Sequence, residues 1–146
     1  MTHQGEAGTT APQWRSYPPY YAHIGAVLER IGNGEAVVRL SPRPELANTK
    51  GDIHGGAIAS LLDMVLAQAV RSGYDRSFNV ATINLNINYL ATANGELTAT
   101  GKLIRAGTTI AYLEGEITRS DGAIVARATA SYRIIHRPTT VVKAEA

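Results

Sequence analysis

Residues 57 to 70, AIASLLDMVLAQAV, most constrain what this chain can fold into. The segment has helical length and apolar residues on almost every side, so a helix formed from it must be covered on almost every side. Either a sheet curls around the helix, or a partner covers what remains. One carboxylate, Asp63, lies at the centre between Leu62 and Met64. Asp is a poor residue for a helix interior and is costly to bury without a partner.

The rest of the chain predicts two β-strands before this helix and four after it. The segment 25 to 42 has the turn Gly32-Asn33-Gly34 between two apolar runs, which is typical of a hairpin. Residues 80 to 91, VATINLNINYLA, alternate apolar and polar side chains, which places Thr82 on the polar face with the asparagines. Short turns separate the last four strands and indicate an antiparallel meander. These turns lie at Asn94-Gly95, Gly107 and Asp121-Gly122.

The predicted order is therefore β-β-α-β-β-β-β, a two-layer α+β domain with one long helix and about six antiparallel strands. The helix is expected from Gly55 or Gly56 to about Ser72, with Gly73 as its stop. A short helical turn is expected at PPYYAHIG, with Pro19 in its first turn. The predicted boundaries are a loose N-terminal arm (1–18), a single domain (19–137) and a C-terminal tail (138–146).

Composition excludes several classes of function. The chain has no cysteine, which rules out disulfides, cysteine metal sites and thiol nucleophiles. A net charge of +2, with no basic cluster among aromatic residues, argues against nucleic acid as a partner. The N-terminus lacks a signal-peptide core, and the apolar helix is too short to span a bilayer. We therefore expect a cytoplasmic protein with no membrane partner.

Two interpretations of Asp63 are open from the residues alone. Either Asp63 points to a wet edge or bonds a neighbouring backbone, or it is a reactive carboxylate that acts as general base or nucleophile. Upstream, His54-Gly55-Gly56 stands where the helix begins. Exposed N–H groups at such a helix start can stabilise an oxyanion. A carboxylate and an oxyanion donor together suffice for acyl transfer without a Ser or Cys nucleophile.

The spacing of these groups predicts a dimer. Gly55 and Asp63 are eight residues apart on one helix, which separates their backbones by about 12 Å at ~1.5 Å per residue. A reacting carbonyl must lie within roughly 3 to 3.5 Å of both groups. If both act on one carbonyl, they must therefore come from two different subunits. We expect an obligate dimer with composite active sites.

The string N-x-x-G-x-x-H-G-G, followed by Asp nine residues after the His, resembles the PaaI-type hotdog-fold acyl-CoA thioesterases. INLNINYLATA (83–93) and RAGTTIAYLEGEI (105–117) also fit that family, and the resemblance covers roughly residues 18 to 135. The string is formed here by Asn48, Gly51, His54, Gly55, Gly56 and Asp63.

This resemblance implies a hotdog fold, with a helix wrapped by a curved antiparallel sheet, in a homodimer or a homotetramer made of two dimers. It implies hydrolysis of an acyl- or aryl-CoA thioester, with no cofactor besides the CoA of the substrate, and it suggests a link to phenylacetate degradation. Asp63 would be general base or nucleophile, and the Gly55 N–H of the partner subunit would polarise the carbonyl. Asn48 and His54 would position the thioester or a water.

The resemblance also assigns residues outside the helix start. Thr82 lies where family members hold the attacking water with Ser or Thr. At the helix start itself, and independently of the resemblance, the two glycines Gly55 and Gly56 let the backbone run close to a ligand. The region that meets the CoA phosphates corresponds to Arg105 and the turn Gly107-Thr108-Thr109, where Thr108 replaces a basic residue often found there.

Other interpretations stay open at this point. A metal site is not expected, because His3, His23 and His136 have no ligand-pair spacing with His54. His54 could instead hydrogen-bond the backbone at the helix start. The strand tyrosines at 89, 112 and 132 are expected in the core or an interface. The alternative functions are a hotdog hydratase or dehydratase acting on enoyl or hydroxyacyl thioesters, and a non-catalytic acyl-CoA-binding protein.

Overall fold

A computed structural model describes residues 18–74 and 78–136 of the chain. Most of the predicted N-terminal arm and the whole predicted C-terminal tail lie outside the described residues. The described part contains two α-helices, a short 3₁₀ turn (Pro44–Leu46) and six strands. In chain order these are α1 (Pro19–Ile24), β1 (Ala26–Gly32), β2 (Glu35–Leu40), α2 (Gly55–Gly73), β3 (Phe78–Tyr89), β4 (Leu97–Ala106), β5 (Ile110–Arg119) and β6 (Ile124–His136). The predicted α+β element order is confirmed.

Local signals set both ends of α1 and the start of α2. Pro19 occupies the first position of α1, where its fixed φ favours the helix. The N–H that proline lacks would have no acceptor within the helix at this position. Gly25 ends α1 with a left-handed φ of 77°. His54 caps α2, because its Nδ1 accepts the N–H of Gly56 at 2.8 Å. The helix ends at Gly73, one residue beyond the expected limit.

The sheet is antiparallel, with strand order β1-β2-β4-β5-β6-β3. The hairpin β1–β2 and the meander β4–β5–β6 agree with the turn signals, but β3 pairs with β6 and not with β4. The predicted four-strand meander is therefore wrong, and Asn94-Gly95 is not a hairpin turn. Residues 90–96 instead form a connection that leads from one edge of the sheet to β4. The Leu90 N–H donates to the Val125 carbonyl oxygen, and the Ala93 carbonyl oxygen accepts the N–H of Ile53. Pairing with β6 places β3 beside α2 on the side that carries Asp63.

A β-bulge in β3 changes which side chains face the helix. Thr82 pairs with Tyr132 and Asn84 pairs with Ser131, so Ile83 is an extra residue that has no pairing partner on β6. The extra residue reverses the alternation, and the prediction that Thr82 shares a face with the asparagines is wrong. Thr82 faces α2, on the same side of the sheet as three residues beyond the bulge. These are Leu85, Ile87 and Tyr89.

The helix α2 contacts all six strands and is mostly buried, with one partly exposed stripe along its length. Gly101 on β4 permits this close packing, because a β-carbon there would lie 2.9 Å from the Val65 carbonyl oxygen. The uncovered stripe follows the helical spacing of three to four residues. Its members are Gly56, Ser60, Asp63, Ala67 and Arg71. No helix in the described ranges is long and apolar enough to cross a membrane.

Candidate functional site

The Asp63 carboxylate is held by two hydroxyl groups from the sheet. Thr82 Oγ1 donates to Asp63 Oδ1 at 2.7 Å, and the Tyr132 hydroxyl reaches the same oxygen at 2.6 Å. The Tyr132 hydroxyl also lies 2.9 Å from the Asp63 carbonyl oxygen. Asp63 is partly exposed, and its Oδ2 has no hydrogen bond to any residue that the structure describes. One carboxylate oxygen is thus anchored, while the other is open.

Tyr132 is the member of this cluster that the sequence did not single out. Its side chain is 1% exposed, so the expectation that it belongs to the core is confirmed. Burial raises the pKa of the Tyr132 phenol well above its usual range, and the hydrogen bond to Asp63 and the negative charge of Asp63 add to this. The phenol therefore keeps its proton and is available as a donor. No local pattern could have revealed the contact, because Tyr132 meets Thr82 only through the non-local pairing of β6 with β3.

Within the part of the chain that the structure describes, the start of α2 leaves one backbone N–H without an acceptor. The Gly56 N–H donates to His54 Nδ1, while the N–H groups of Ala57 and Ile58 both donate to the His54 carbonyl oxygen. Within residues 18–74 and 78–136, the Gly55 N–H has no such acceptor, as is common in a first helical turn. His54 thus hydrogen-bonds the backbone at the helix start, which was one of the interpretations of this residue left open by the sequence. Its neutral ring therefore carries the proton on Nε2.

A cavity of about 180 Å³ lies beside this helix start and is lined by Asn48, Gly55 and Tyr89, among others. The Tyr89 hydroxyl donates to the Gly55 carbonyl oxygen at 3.0 Å, and the Tyr89 ring packs against Gly55. Tyr89 is 55% exposed and therefore does not belong to the core of the single chain. Asn48 Oδ1 accepts the N–H groups of Lys50 and Asp52 and so shapes the loop that borders the cavity.

These two clusters are separate within one chain. The helical rise places the Gly55 and Asp63 backbones about 12 Å apart along α2. Their contacts on β3 are separate too, because Asp63 bonds Thr82 while Gly55 bonds Tyr89 at the end of the strand. The structure thus brings Asp63 together with Thr82, and Gly55 together with Asn48, but does not bring the two pairs together.

The β4–β5 turn lies farther away, at the other end of α2. Tyr74, the residue after the helix, donates its hydroxyl to the Gly107 carbonyl oxygen at 2.6 Å. A β-carbon at Gly107 would collide with the Ile110 carbonyl oxygen, so this turn requires glycine. The Thr108 carbonyl oxygen lies 3.2 Å from His136 Nε2, and the Thr109 carbonyl oxygen accepts the N–H of Ile134; both partners are on β6. Arg105 is exposed and forms no ion pair with the residues described.

A larger cavity of about 730 Å³ lies on the sheet face that points away from α2. Its lining includes charged side chains that alternate with buried residues along the strands. Among these are Lys102, Glu114, Glu116 and Arg127. The cavity contains none of the residues singled out in the sequence. Over the described part of the chain, no three His, Asp or Glu side chains are grouped so that they could hold a metal ion.

Known proteins are similar to this chain in sequence and in fold. The sequence profile of the Thioesterase superfamily matches residues 50–126. YigI of Salmonella typhimurium, a medium/long-chain acyl-CoA thioesterase, is 29% identical over 132 residues, which cover 80% of this chain and 85% of YigI. VNG_1336C of Halobacterium salinarum is 37% identical over 106 residues, which cover 68% of this chain and 70% of that protein.

Solved structures of other proteins have the same fold as this chain. PA5202 from Pseudomonas aeruginosa is 28% identical and superposes with a TM-score of 0.77 over 80% of this chain and 94% of its own. The PaaI protein from the phenylacetic acid degradation operon of E. coli is 22% identical and shares the fold, with a TM-score of 0.77 over 84% and 88% of the two chains. The predicted hotdog fold is confirmed. With its family match covering more than half of its length, this chain belongs to the Thioesterase superfamily, has the hotdog fold and is a thioester hydrolase.

Proposed function

We propose that this chain hydrolyses acyl- or aryl-CoA thioesters, with Asp63 as the reactive carboxylate. The observation that carries the proposal is the asymmetry of the Asp63 carboxylate. Oδ1 is bonded by Thr82 and Tyr132, whereas Oδ2 of this partly exposed residue has no hydrogen-bond partner among the described residues. A carboxylate held in this way presents one oxygen to a substrate or a water. CoA as the thiol component is supported by the name of YigI, which describes action on medium- and long-chain acyl-CoA.

Two chemical routes begin at the same oxygen. In the first, Oδ2 takes a proton from a water while the water oxygen attacks the thioester carbonyl carbon. In the second, Oδ2 attacks that carbon itself and forms a mixed anhydride, which water then hydrolyses. In both routes the C–S bond breaks, the thiolate of CoA leaves and takes up a proton, and the acid is released. Both routes need a donor for the oxyanion, and neither needs a metal or a further cofactor.

The proposed oxyanion donor is the Gly55 N–H of a second copy. This N–H has no acceptor among the described residues, and it lies beside a cavity that also contains Asn48. The distance along α2 prevents Gly55 and Asp63 of one chain from meeting at one carbonyl. We assign Asn48 and His54 to the same half of the site, where the Asn48 amide nitrogen and the His54 Nε2–H are available to position the thioester or a water.

The edge of the sheet suggests how two copies would meet. β3 pairs with β6 on one side and has no strand partner on the other within the described residues, and such edges favour pairing. Three large apolar side chains at this edge are half exposed: Ile83 at 54%, Tyr89 at 55% and Leu90 at 57%. Covering them in a dimer would remove this apolar surface from water.

Antiparallel pairing of two β3 strands about Asn86 would complete both sites. Allowing for the bulge at Ile83, Asn86 would then lie opposite its own counterpart, and Thr82 opposite the Tyr89 position of the second copy. Thr82 bonds Asp63 and Tyr89 bonds Gly55, so this register would bring the Asp63 cluster of one copy to the Gly55 cluster of the other. Two such dimers would form the expected tetramer.

A thiol-release assay tests the proposed reaction. Purified protein is offered short, medium, long and aromatic acyl-CoA thioesters, and free CoA thiol is measured for wild type and for Asp63→Asn. We expect hydrolysis by wild type and a loss of about 10² to 10⁴-fold in kcat for Asp63→Asn, with the dimer intact. Retention of most activity in Asp63→Asn would refute the role of Asp63. Hydration of a crotonyl thioester without thiol release would favour the hydratase, and binding without turnover would favour the acyl-CoA-binding protein.

The contribution of the β4–β5 turn can be tested with the same assay. Arg105, with Gly107, Thr108 and Thr109, is proposed to meet the phosphates of CoA, because Arg105 is exposed and not engaged in an ion pair within the described residues. Arg105→Ala should raise KM for a CoA thioester and leave KM unchanged for the same acyl group on N-acetylcysteamine, which lacks phosphates. An equal effect on both substrates would contradict this assignment.

A further inference from the structure

We infer that Tyr132 is a positioning residue for the hydrolysis, which holds Asp63 in the orientation that leaves Oδ2 open to the substrate. The inference rests on the proposed role of Asp63, but it concerns a residue on another element of the fold. Tyr132 lies on β6 and is almost fully buried, so it acts through Asp63 and not by touching the substrate.

The contacts of the Tyr132 hydroxyl fix two parts of Asp63 at once. The hydroxyl lies 2.6 Å from Oδ1 and 2.9 Å from the backbone carbonyl oxygen of the same residue. Its single proton is shared between the two acceptors. Because one acceptor is main chain and the other is side chain, the contact restricts the rotation of the carboxylate relative to the helix. Thr82, on the neighbouring strand β3, donates a second hydrogen bond to Oδ1 at 2.7 Å.

The surroundings of Asp63 make Tyr132 its main titratable neighbour. Among the described residues Asp63 forms no ion pair with Lys, Arg or His. From α1, Tyr21 approaches the same turn of α2, but its hydroxyl donates to the Met64 carbonyl oxygen at 3.0 Å. Within the described part of the chain, the side-chain donors to the carboxylate are thus Tyr132 on β6 and Thr82 on β3.

The phenol ring of Tyr132 has a second role in packing, which the test must separate from the role of the hydroxyl. Tyr132→Phe keeps the ring and removes the oxygen. Tyr21→Phe is the matched control, because Tyr21 is also buried and also donates its hydroxyl to a carbonyl oxygen of α2. Tyr21 does not bond the carboxylate of Asp63. A purely structural role for the Tyr132 hydroxyl predicts similar behaviour in the two variants.

The experiment compares both variants with wild type by steady-state kinetics and by thermal unfolding. For Tyr132→Phe we expect kcat to fall by about 10- to 100-fold with KM nearly unchanged, as is typical when a partner that orients a reactive group is removed. Tyr21→Phe should lower the unfolding temperature and leave kcat near that of wild type.

Three results would overturn the inference. The first is a Tyr132→Phe variant with the kcat of wild type while Asp63→Asn is inactive, which would leave the proposed function in place. The second is a Tyr132→Phe variant that differs from wild type only in stability, as Tyr21→Phe does. The third is a rise in KM at constant kcat, which would indicate substrate contact. An active Asp63→Asn variant would instead refute the proposed function itself.

A variant that preserves the hydroxyl covers the case in which Tyr132→Phe does not fold. Incorporation of 3-fluorotyrosine at position 132 keeps the shape of the side chain nearly unchanged and makes its hydroxyl a stronger donor. Because the hydroxyl is kept, kcat should stay near that of wild type. A loss of kcat as large as the one expected for Tyr132→Phe would also contradict the inference.

Discussion

Thr82 and Tyr132 lie directly opposite each other on β3 and β6, and their hydroxyls meet at one carboxylate oxygen of Asp63. The bulge at Ile83 makes this arrangement possible, because without the extra residue Thr82 would point away from the helix together with the asparagines. A residue in the middle of an apolar helix is thus held by two neighbouring strands. This explains how the fold accommodates an acid there: the carboxylate is partly exposed and its inner oxygen is bonded twice.

The shared oxygen leads to a prediction about Thr82. Thr82→Val keeps the β-branched shape of the side chain but loses the donor, and kcat should fall by about tenfold, because a hydrogen bond to a charged group is lost. Combined with Tyr132→Phe, the loss should exceed the product of the two single losses, because each hydroxyl alone still holds the carboxylate in the single variants. Steady-state kinetics on the four proteins of this cycle measure the coupling. Thr82→Ser, which keeps a hydroxyl, should stay near wild type, and strictly multiplicative losses would contradict a shared role.

The sequence predicted those features that depend on neighbouring residues. The span of α2, the hairpin turn at Gly32-Asn33-Gly34 and the helical turn at Pro19 follow from local patterns and agree with the structure. The pairing of β3 with β6 could not be predicted in this way, because it joins distant parts of the chain and competes with a plausible Asn94-Gly95 hairpin. The apolar character of α2 already demanded a cover on most sides, and β3 provides part of it.

In the candidate site, too, some residues stand out in the sequence while others are recognised only from contacts between distant parts of the chain. Asp63 and the helix start stand out because an acid inside an apolar run and a pair of glycines are visible in the sequence itself. Tyr132 and Tyr89 do not stand out, since an aromatic residue in a strand is usually core. Their contacts with Asp63 and Gly55 come from tertiary packing, and the bulge at Ile83 could not be recognised in a strand that alternates without interruption.

The Gly55 N–H, which has no acceptor among the described residues, predicts a specific response to proline. Proline is well tolerated at the first position of a helix, and the preceding residue, His54, already has the extended conformation that proline requires, with φ −60° and ψ 142°. Gly55→Pro should therefore fold but lose about 10² to 10³-fold in kcat, because the oxyanion donor is gone. Gly55→Ala is the control: it keeps the N–H, and its β-carbon meets Tyr89 at an ordinary 3.4 Å. Thiol release from both variants is compared with circular dichroism spectra, and a fully active Gly55→Pro would exclude this N–H as the donor.

The proposed register of the dimer can be tested by disulfide formation, since the natural chain has no cysteine. With the twofold axis at Asn86, Asn86→Cys places two sulfurs across the axis, where opposite β-carbons lie about 4.5 to 5.5 Å apart. Mild oxidation should yield a covalent dimer on a non-reducing gel. Asn88→Cys is the matched control on the same strand and face. Its two copies would be offset by four residues, about 13 Å along the strand, and should not cross-link. Efficient cross-linking of Asn88→Cys but not of Asn86→Cys would mean a different register.

The composite site makes its strongest prediction for a mixture of two inactive variants. In a dimer that contains one Asp63→Asn subunit and one Gly55→Pro subunit, one site combines the intact Asp63 with the intact Gly55 N–H, and the other site lacks both groups. Unfolding and refolding the two variants together should therefore restore activity, up to about a quarter of that of wild type when subunits exchange at random in a twofold-symmetric dimer. Each variant refolded alone is the control and should stay inactive. If Asp63 and Gly55 of the same chain served one carbonyl, every site in the mixture would lack one group, and no activity would return.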